Sequence, residues 1–341
     1  MKWLSFLEKL SLASGPPGHE DEVREAIRER LEGSVDEFHV DSFGNLYAVK
    51  GKGERKLMLA AHMDEVAMIV RYVESNGFLR FVALGGLSPS QLIAQRVFVH
   101  AGKKLRGVIG SMPAHMGGEE RVPKIEELYI DVGFRNSEEA EKLGVRPGSL
   151  VTFDSPFVHQ PETGIVIGKA LDDRLGCLVL AEAIAEAEPK DKVFAVFTCE
   201  EERGLRGAQV AANKLRPELA FVLEGTIAAD VPGVPEYNRI TSLGKGPAIR
   251  VMDKTVIVRK WLLESMMERA ERLGIPYQLQ LSPVSGTDAG PISVSGEGVP
   301  VGVISVPARY IHSPQAIAKV EDIENAMRLI RSLIEDPPWP P

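Results

Sequence analysis

An α/β fold with an inserted β-rich domain is what this sequence predicts, and three observations carry that reading. Short apolar runs such as KLMLAAH, KVFAVFT, ELAFVLEG and VPVGVISV have the length and composition of buried strands. Apolar residues recur with a period near 3.6 over roughly 3 to 13, 19 to 31, 173 to 187, 255 to 273 and 320 to 335, which predicts helices on both faces of a sheet. The region from about 68 to 160 breaks this alternation and reads as a small β-barrel-like domain, leaving about 1 to 67 and 161 to 341 as one discontinuous domain.

Taken in order, the first helix stops before GPPG, and the second starts near His19 in HEDEVRE. The strand KLMLAAH then runs into His62-Met63-Asp64. Within the insert, NGFLRFVALGG, RVFVHAGKKLRGVIG, ELYIDVG and GSLVTF read as strands, with SEEAEKLG as the one short helical stretch. After it, Asp172-Asp173-Arg174 precedes the apolar helix LGCLVLAEAIAEA. KVFAVFTC leads into the turn EEERG and a helix beginning near Gly204. The Pro-rich end DPPWPP is expected to carry no helix.

Composition narrows the function classes. At 341 residues and 44% hydrophobic content the chain can bury a large core. The net charge is −8, and no basic run or aromatic-interleaved basic patch is present, which disfavours nucleic-acid binding. No stretch reaches the ~18 apolar residues of a membrane span, and the N-terminus lacks a signal-peptide pattern, so the expected address is the cytoplasm. Cys177 and Cys199 stand in apolar contexts and read as buried thiols of a reducing compartment.

The chemistry is carried by polar residues at the ends of apolar runs: His62 and Asp64, Asp172 and Asp173, the triplet Glu200-Glu201-Glu202, Glu224, and His312. Strand C-terminal ends in an open α/β sheet converge on one crevice, so these residues can share a site. Each has a blander reading. His-x-Asp after a strand can be a cap or surface turn, Asp-Asp-Arg an N-cap with acids in the first helical turn, and a Glu triplet a solvated face. Their conjunction beside runs that ought to be buried favours ligation, because buried charges are costly unless paired or metal-bound. Two imidazoles with several carboxylates suit a pair of borderline divalent ions about 3.5 Å apart, bridged by a shared carboxylate.

The ordered motifs HMDE, ALDDR, EEERGLRGA, LEGTIAADVPG, SGTDAGPI and RYIHSP resemble the tetrahedral (TET) aminopeptidases, dinuclear metallopeptidases whose relatives are also labelled glutamyl aminopeptidase or cellulase M. The resemblance runs almost end to end, from SGPPGHEDEVRE to the last helix. It implies a mixed-sheet α/β/α catalytic domain with a PDZ-like insert that covers the active site and builds dimers. Those dimers would join into a hollow dodecamer acting on peptide substrates. By this resemblance His62, Asp172 and Glu224 would hold one metal and Asp172, Glu202 and His312 the other, with Asp172 bridging. Zinc or cobalt would serve at both. Glu201 would be the general base and Asp64 would orient His62.

Glu224 stands where many relatives carry Asp, and Glu200 and Arg203 flank the acid pair where an amide and a small apolar residue are commoner. The triplet leaves the register open by one residue; counting back from Gly204 favours Glu202 as ligand and Glu201 as base. A metal-dependent deacylase or carboxypeptidase would use nearly the same ligands. An endoglucanase would need a carboxylic-acid pair and leave His62 and His312 unexplained. Among other polar residues, His100, His115 and His159 fall in the insert and read as structural or surface residues. Asp230 reads as a turn residue, and Asp288 either lines the site or caps AGPISVSG. His19 reads as a helix-start and His39 as a strand-end residue.

Overall fold

The computed structural model describes residues 1–113 and 122–341. The chain begins with α1 (Lys2–Leu12) and α2 (Asp21–Leu31), followed by β1 (Glu37–Val40), β2 (Leu46–Lys50) and β3 (Lys56–His62). It then enters β4 (Ala67–Val73), β5 (Leu79–Leu84), α3 (Pro89–Leu92), β6 (Arg96–His100), β7 (Lys104–Gly110), β8 (Tyr129–Asp131), α4 (Ser137–Lys142) and β9 (Leu150–Phe153). Next come β10 (Val158–Gln160), β11 (Ile165–Gly168), α5 (Leu171–Glu186), β12 (Lys192–Thr198), α6 (Arg206–Leu215) and β13 (Leu219–Ile227). The last part holds β14 (Ala248–Asp253), α7 (Lys260–Arg272), β15 (Gln278–Ser282), α8 (Ala289–Ser293), β16 (Val301–Arg309), β17 (Ala316–Lys319) and α9 (Val320–Glu335).

Two sheets result. One has 11 strands in the order β1-β2-β12-β3-β13-β16-β17-β11-β10, with β14 and β15 attached through β16; the other closes into a barrel, β4-β5-β8-β7-β6-β9. At the centre of the large sheet β12, β3, β13 and β16 run parallel, so their C-terminal ends open on one edge. The strands that flank them, β2, β14 and β17, pair with them antiparallel, which makes the sheet mixed.

Residues of β3 show why a parallel strand reads as a continuous apolar run. Leu57, Leu59 and Ala61 point into a core shared with α1, α2, α5, α7 and α9. Met58 and Ala60 point into the opposite core, under α6 and α8. The barrel fills its own interior with Met68, Phe81, Val97, Ile109, Val151 and Phe153 among others. Its strands span Ala67 to Phe153, whereas β10, within the stretch read as insert, pairs with β11 in the large sheet and takes His159 with it.

One helix starts later than its periodicity predicts. The Asp253 carboxylate accepts the N–H groups of Thr255 and Val256 and the Thr255 hydroxyl. That local turn satisfies the backbone outside a helix, and α7 begins only at Lys260. Beyond α9 the Pro-rich end carries no helix, and Trp339 donates its indole N–H to Asp191 at 3.0 Å. Among the described residues no helix is long and apolar enough to cross a membrane.

A buried ion cluster joins the N-terminal helices to the sheet. Glu65, 1% exposed, accepts from Lys169 Nζ at 2.7 and 2.8 Å and from the Gly15 N–H at 3.0 Å. Arg174, fully buried, lies 3.5 Å from the same carboxylate and donates to the Met63 and Ala13 carbonyls. Glu65→Gln leaves two buried cations without a counter-charge, and a loss of about 3–5 kcal/mol is expected from denaturant unfolding at fixed chain concentration. A loss below about 1 kcal/mol would show that neighbouring carbonyls alone solvate them.

Candidate metal centre

The four parallel strands deliver the site. His62 is the last residue of β3 and pairs laterally with Thr198 at the end of β12. Cys199 follows Thr198, and Glu200 then adopts φ 55, turning the chain so that Glu201 and Glu202 face the crevice while Glu200 pairs with Arg206. The turn is closed by the N–H groups of Gly204 and Leu205, both donating to the Glu201 carbonyl at 2.9 Å. Glu224 lies on β13 beside Ser305 of β16, and His312 follows β16 in a segment where Tyr310 and His312 both have φ 59.

Five of the residues expected at the site fall into two groups that share Asp172. His62, Asp172 and Glu224 form one; Asp172, Glu202 and His312 form the other, and within each the donor atoms lie within 4.8 Å of one another. His62 Nε2 is 3.4 Å from Asp172 Oδ1 and 3.7 Å from Glu224 Oε2. His312 Nε2 is 3.3 Å from Asp172 Oδ2 and 3.2 Å from Glu202 Oε1. Ligands about 2.1 Å from a tetrahedral ion are separated by about 3.4 Å, so both groups have the spacing such an ion requires. Glu200 belongs to neither. Glu201 Oε2 approaches His62 Nε2 only to 4.0 Å, leaving its carboxylate beside the first group and outside both.

Electrostatics point the same way. Burial, with Asp173 beside it, pushes the Glu224 carboxyl well above its ordinary range, and its Oε1 has no hydrogen-bond partner. Burial likewise raises Glu202 to about 7 against the pull of His312, with Asp172 adding to the rise. Glu201 is pushed well up by burial, opposed by His62 and reinforced by Asp288 and Glu202. Burial opposes a charged His312, but its bond to Asp172 and the Glu202 carboxylate carry it to about 9. His62 is held well above the ordinary imidazole by Glu201 and Asp172 despite full burial. Buried acids and imidazoles around a carboxylate oxygen with no hydrogen-bond partner are a donor set that divalent cations would fit.

Two further carboxylates hold backbone. Asp64 accepts the Glu201 N–H at 2.9 Å and the Glu202 N–H at 3.1 Å, which fixes the turn. It also meets His62: Nδ1 is 3.1 Å from the Asp64 carbonyl and 3.4 Å from its carboxylate. Asp173 accepts the N–H groups of His62, Gly176 and Gly225, stapling β3, α5 and β13 together. The Gly176 bond, three residues on, is the capping interaction the sequence allowed; the other two are long-range, and no sequence signal announces them.

The remaining polar residues separate clearly. Asp288 does not cap α8; it is 1% exposed and accepts from the Thr198 hydroxyl at 2.6 Å. Asp230 stands just before the turn that begins at Val231 and is an ion-pair anchor, accepting from Arg309 Nε at 2.8 Å and Nη2 at 2.7 Å. His100 meets Thr152 Oγ1 at 2.8 Å on the face of β6 and β9 opposite the barrel core. His115 lies outside the described residues. Cys177 and Cys199 are buried free thiols.

The centre opens into a cavity of about 610 Å³ lined by His62, Asp172, Glu201, Glu202, Glu224 and His312 at one end. Lys254, Thr255, Gly286 and Thr287 line the other, and Gly86 and Gln91 reach it from the barrel side. The resemblance implied an insert over the active site, but the sequence singled out neither Gly86 nor Gln91.

Known proteins bear on this arrangement. The profile of the M42 glutamyl aminopeptidases matches residues 44–329. A lysyl aminopeptidase of Pyrococcus furiosus is 33% identical, covering 97% of this chain and 96% of its own. The structure of an aminopeptidase from Desulfurococcus kamchatkensis superposes with a TM-score of 0.95 at 38% identity, over 98% of this chain and 95% of that one. The TET1 peptidase of Pyrococcus horikoshii is similar at a TM-score of 0.88 and 32% identity, over 98% and 99%. The chain therefore belongs to the M42 family of TET aminopeptidases and is a hydrolase of peptide bonds.

Proposed function

We propose that the chain is a metal-dependent aminopeptidase that removes N-terminal residues from peptides. His62, Asp172 and Glu224 hold one divalent ion, Asp172, Glu202 and His312 a second, and Glu201 acts as general base. The observation that carries this reading is the pair of donor groups sharing Asp172, with an adjacent carboxylate belonging to neither. When bound, the two ions, zinc or cobalt by ligand type, supply Lewis acidity that polarises a carbonyl and acidifies a water.

The chain's own groups do the rest. Asp64 locks the backbone N–H groups of Glu201 and Glu202, so neighbouring residues can point to different tasks. Asp64 also orients the His62 ring from the Nδ1 side, leaving Nε2 toward Asp172 and Glu224. Glu201 takes a proton from the attacking water and returns it to the leaving amine. The carboxylates around the cavity favour a substrate bearing a free α-amine, and the 610 Å³ space accommodates a side chain beyond the reacting centre.

Metal analysis of gently purified protein is expected to give up to two divalent ions per chain, and chelation should abolish cleavage of unblocked amino-acid p-nitroanilides. Blocking the α-amine should abolish cleavage in the metal-loaded protein, which separates this activity from that of a deacylase or carboxypeptidase. Hydrolysis persisting after verified metal removal would overturn the proposal.

Glu201→Gln keeps size and removes the base, so kcat should fall ~100-fold or more with metal content near that of the unaltered protein. Glu202→Gln should instead lower occupancy of one ion, with activity partly restored by excess metal. If Glu200→Gln gave the metal-replete inactive phenotype, the base would be Glu200.

The assembly belongs to the same proposal. The Pyrococcus horikoshii relative can assemble into a tetrahedron or a large octahedral shell. With the barrel as dimerisation and lid domain, this chain is expected to sediment as a homo-oligomer, probed first for a dodecamer. A fully active monomer at all concentrations would remove the assembly from the proposal and leave the chemistry.

A further inference from the structure

The two imidazoles of the centre are oriented from different parts of the chain. His62 is held from within its own strand end: Nδ1 meets the Asp64 carbonyl at 3.1 Å. His312 is held by the insert: its Nδ1 is 2.9 Å from the carbonyl of Gly86, in the segment between β5 and α3. A carbonyl only accepts, so Nδ1 must carry the hydrogen, and Nε2 is the nitrogen left facing Asp172 and Glu202.

The approach is close along the whole segment. Gly85 has φ 90, and a Cβ there would stand 2.8 Å from Glu202 Oε2 and from Val66 Cγ1. A Cβ on Gly86 would stand 3.1 Å from His312 Nδ1 and 3.5 Å from His312 Cε1, and among the described residues beyond its chain neighbours it would meet no other heavy atom within 4 Å. Two consecutive glycines thus lay barrel backbone directly on two proposed ligands of the second ion. Neither meets a ligand of the first site alone.

Resting on the dinuclear reading above, we propose that Gly85 and Gly86 are positioning residues, through which the inserted barrel completes the Asp172/Glu202/His312 site and leaves the His62/Asp172/Glu224 site independent of it. A group that accepts the hydrogen on the far ring nitrogen of a ligating histidine fixes its tautomer and ring orientation, and losing that contact typically weakens metal binding ~10- to 100-fold.

Cobalt titration of metal-free protein, followed by calorimetry and by the visible absorption of the bound ion, tests this. The unaltered protein should bind two ions per chain. Gly86→Ala should keep one at its original affinity, weaken the other ~10-fold or more, and alter only the absorption that grows with the weaker ion. Gly102→Ala, in the same barrel with a Cβ no closer than 3.8 Å to any neighbour, should leave both ions unchanged.

In a His312→Ala background the added Gly86→Ala should have no further effect, because the ring atoms that its Cβ meets among the described residues are gone. A single variant that fails to fold beside a double variant that folds would report the same contact. Equal weakening of both ions, no weakening, or an effect of Gly86→Ala that persists without the His312 ring would each overturn the inference. An unaltered protein that binds fewer than two ions would overturn the dinuclear reading itself, and this inference with it.

Discussion

Like charges at close range in a water-poor crevice are the constraint on which the rest of this structure depends. Asp172, Glu201, Glu202 and Glu224 converge on two imidazoles at the edge of one sheet. Burial makes an ionised carboxylate costly, and a second carboxylate a few ångströms away raises the cost further. Glu201, Glu202 and Glu224 are accordingly all pushed upward, while both histidines are held above their ordinary range. Such a centre stays assembled only if something other than mutual attraction positions the acids. Here that is backbone: four parallel strands bring His62, the Glu201-Glu202 turn, Glu224 and His312 to one edge, and the start of α5 brings Asp172 to it.

The acids divide into those that face the cavity and those that hold the chain. Asp64 and Asp173 are fully buried, and between them they accept five backbone N–H groups, from Glu201 and Glu202 in one case and His62, Gly176 and Gly225 in the other. Hydrogen bonds to a carboxylate are stronger than neutral ones, so each acid fixes strand ends that sterics alone would leave loose. Adjacent residues have opposite fates for this reason. Asp172 turns to the imidazoles and Asp173 to the sheet; Glu200 turns to Arg206, while Glu201 and Glu202 turn inward.

Those fates explain what the sequence made legible and what it did not. Strand ends were readable because a buried parallel strand must be apolar to its last residue, so a polar residue there stands out. His62 was visible on that ground at the end of β3; Asp172 at the start of α5, Glu224 within β13 and His312 beyond β16 stood out as polar residues beside apolar runs, and the glycine after the triplet favoured Glu202. The small barrel was readable from its short strands and turns. Long-range hydrogen bonds were not: Asp173 reads as a cap and partly is one, and nothing local shows its reach to β3 and β13. The late start of α7 was equally hidden, since apolar periodicity continues across residues that Asp253 holds in a turn. Asp288 shows the reverse case, a residue in cap position whose side chain belongs to Thr198 instead.

The topology also decides which domain the centre belongs to. The barrel begins at Ala67, five residues after His62, and its last strand ends at Phe153, before the segment that leads to Asp172. The chain thus leaves the site after its first imidazole and returns to it before its shared carboxylate. The outward tether, Met63 to Val66, is only four residues long, and Leu84 at the end of β5 pairs with Ala67 at the start of β4, so the loop after β5 is held near the crevice, whereas the return from Phe153 first runs through β10 and β11. Glycines are the residues that let such a loop come into van der Waals contact, because a side chain would occupy the space the ligands need. Seen this way, contact between Gly86 and His312 follows from where the insert is spliced into the chain, and a catalytic sheet folded without the barrel would present the same donors with one imidazole free to turn.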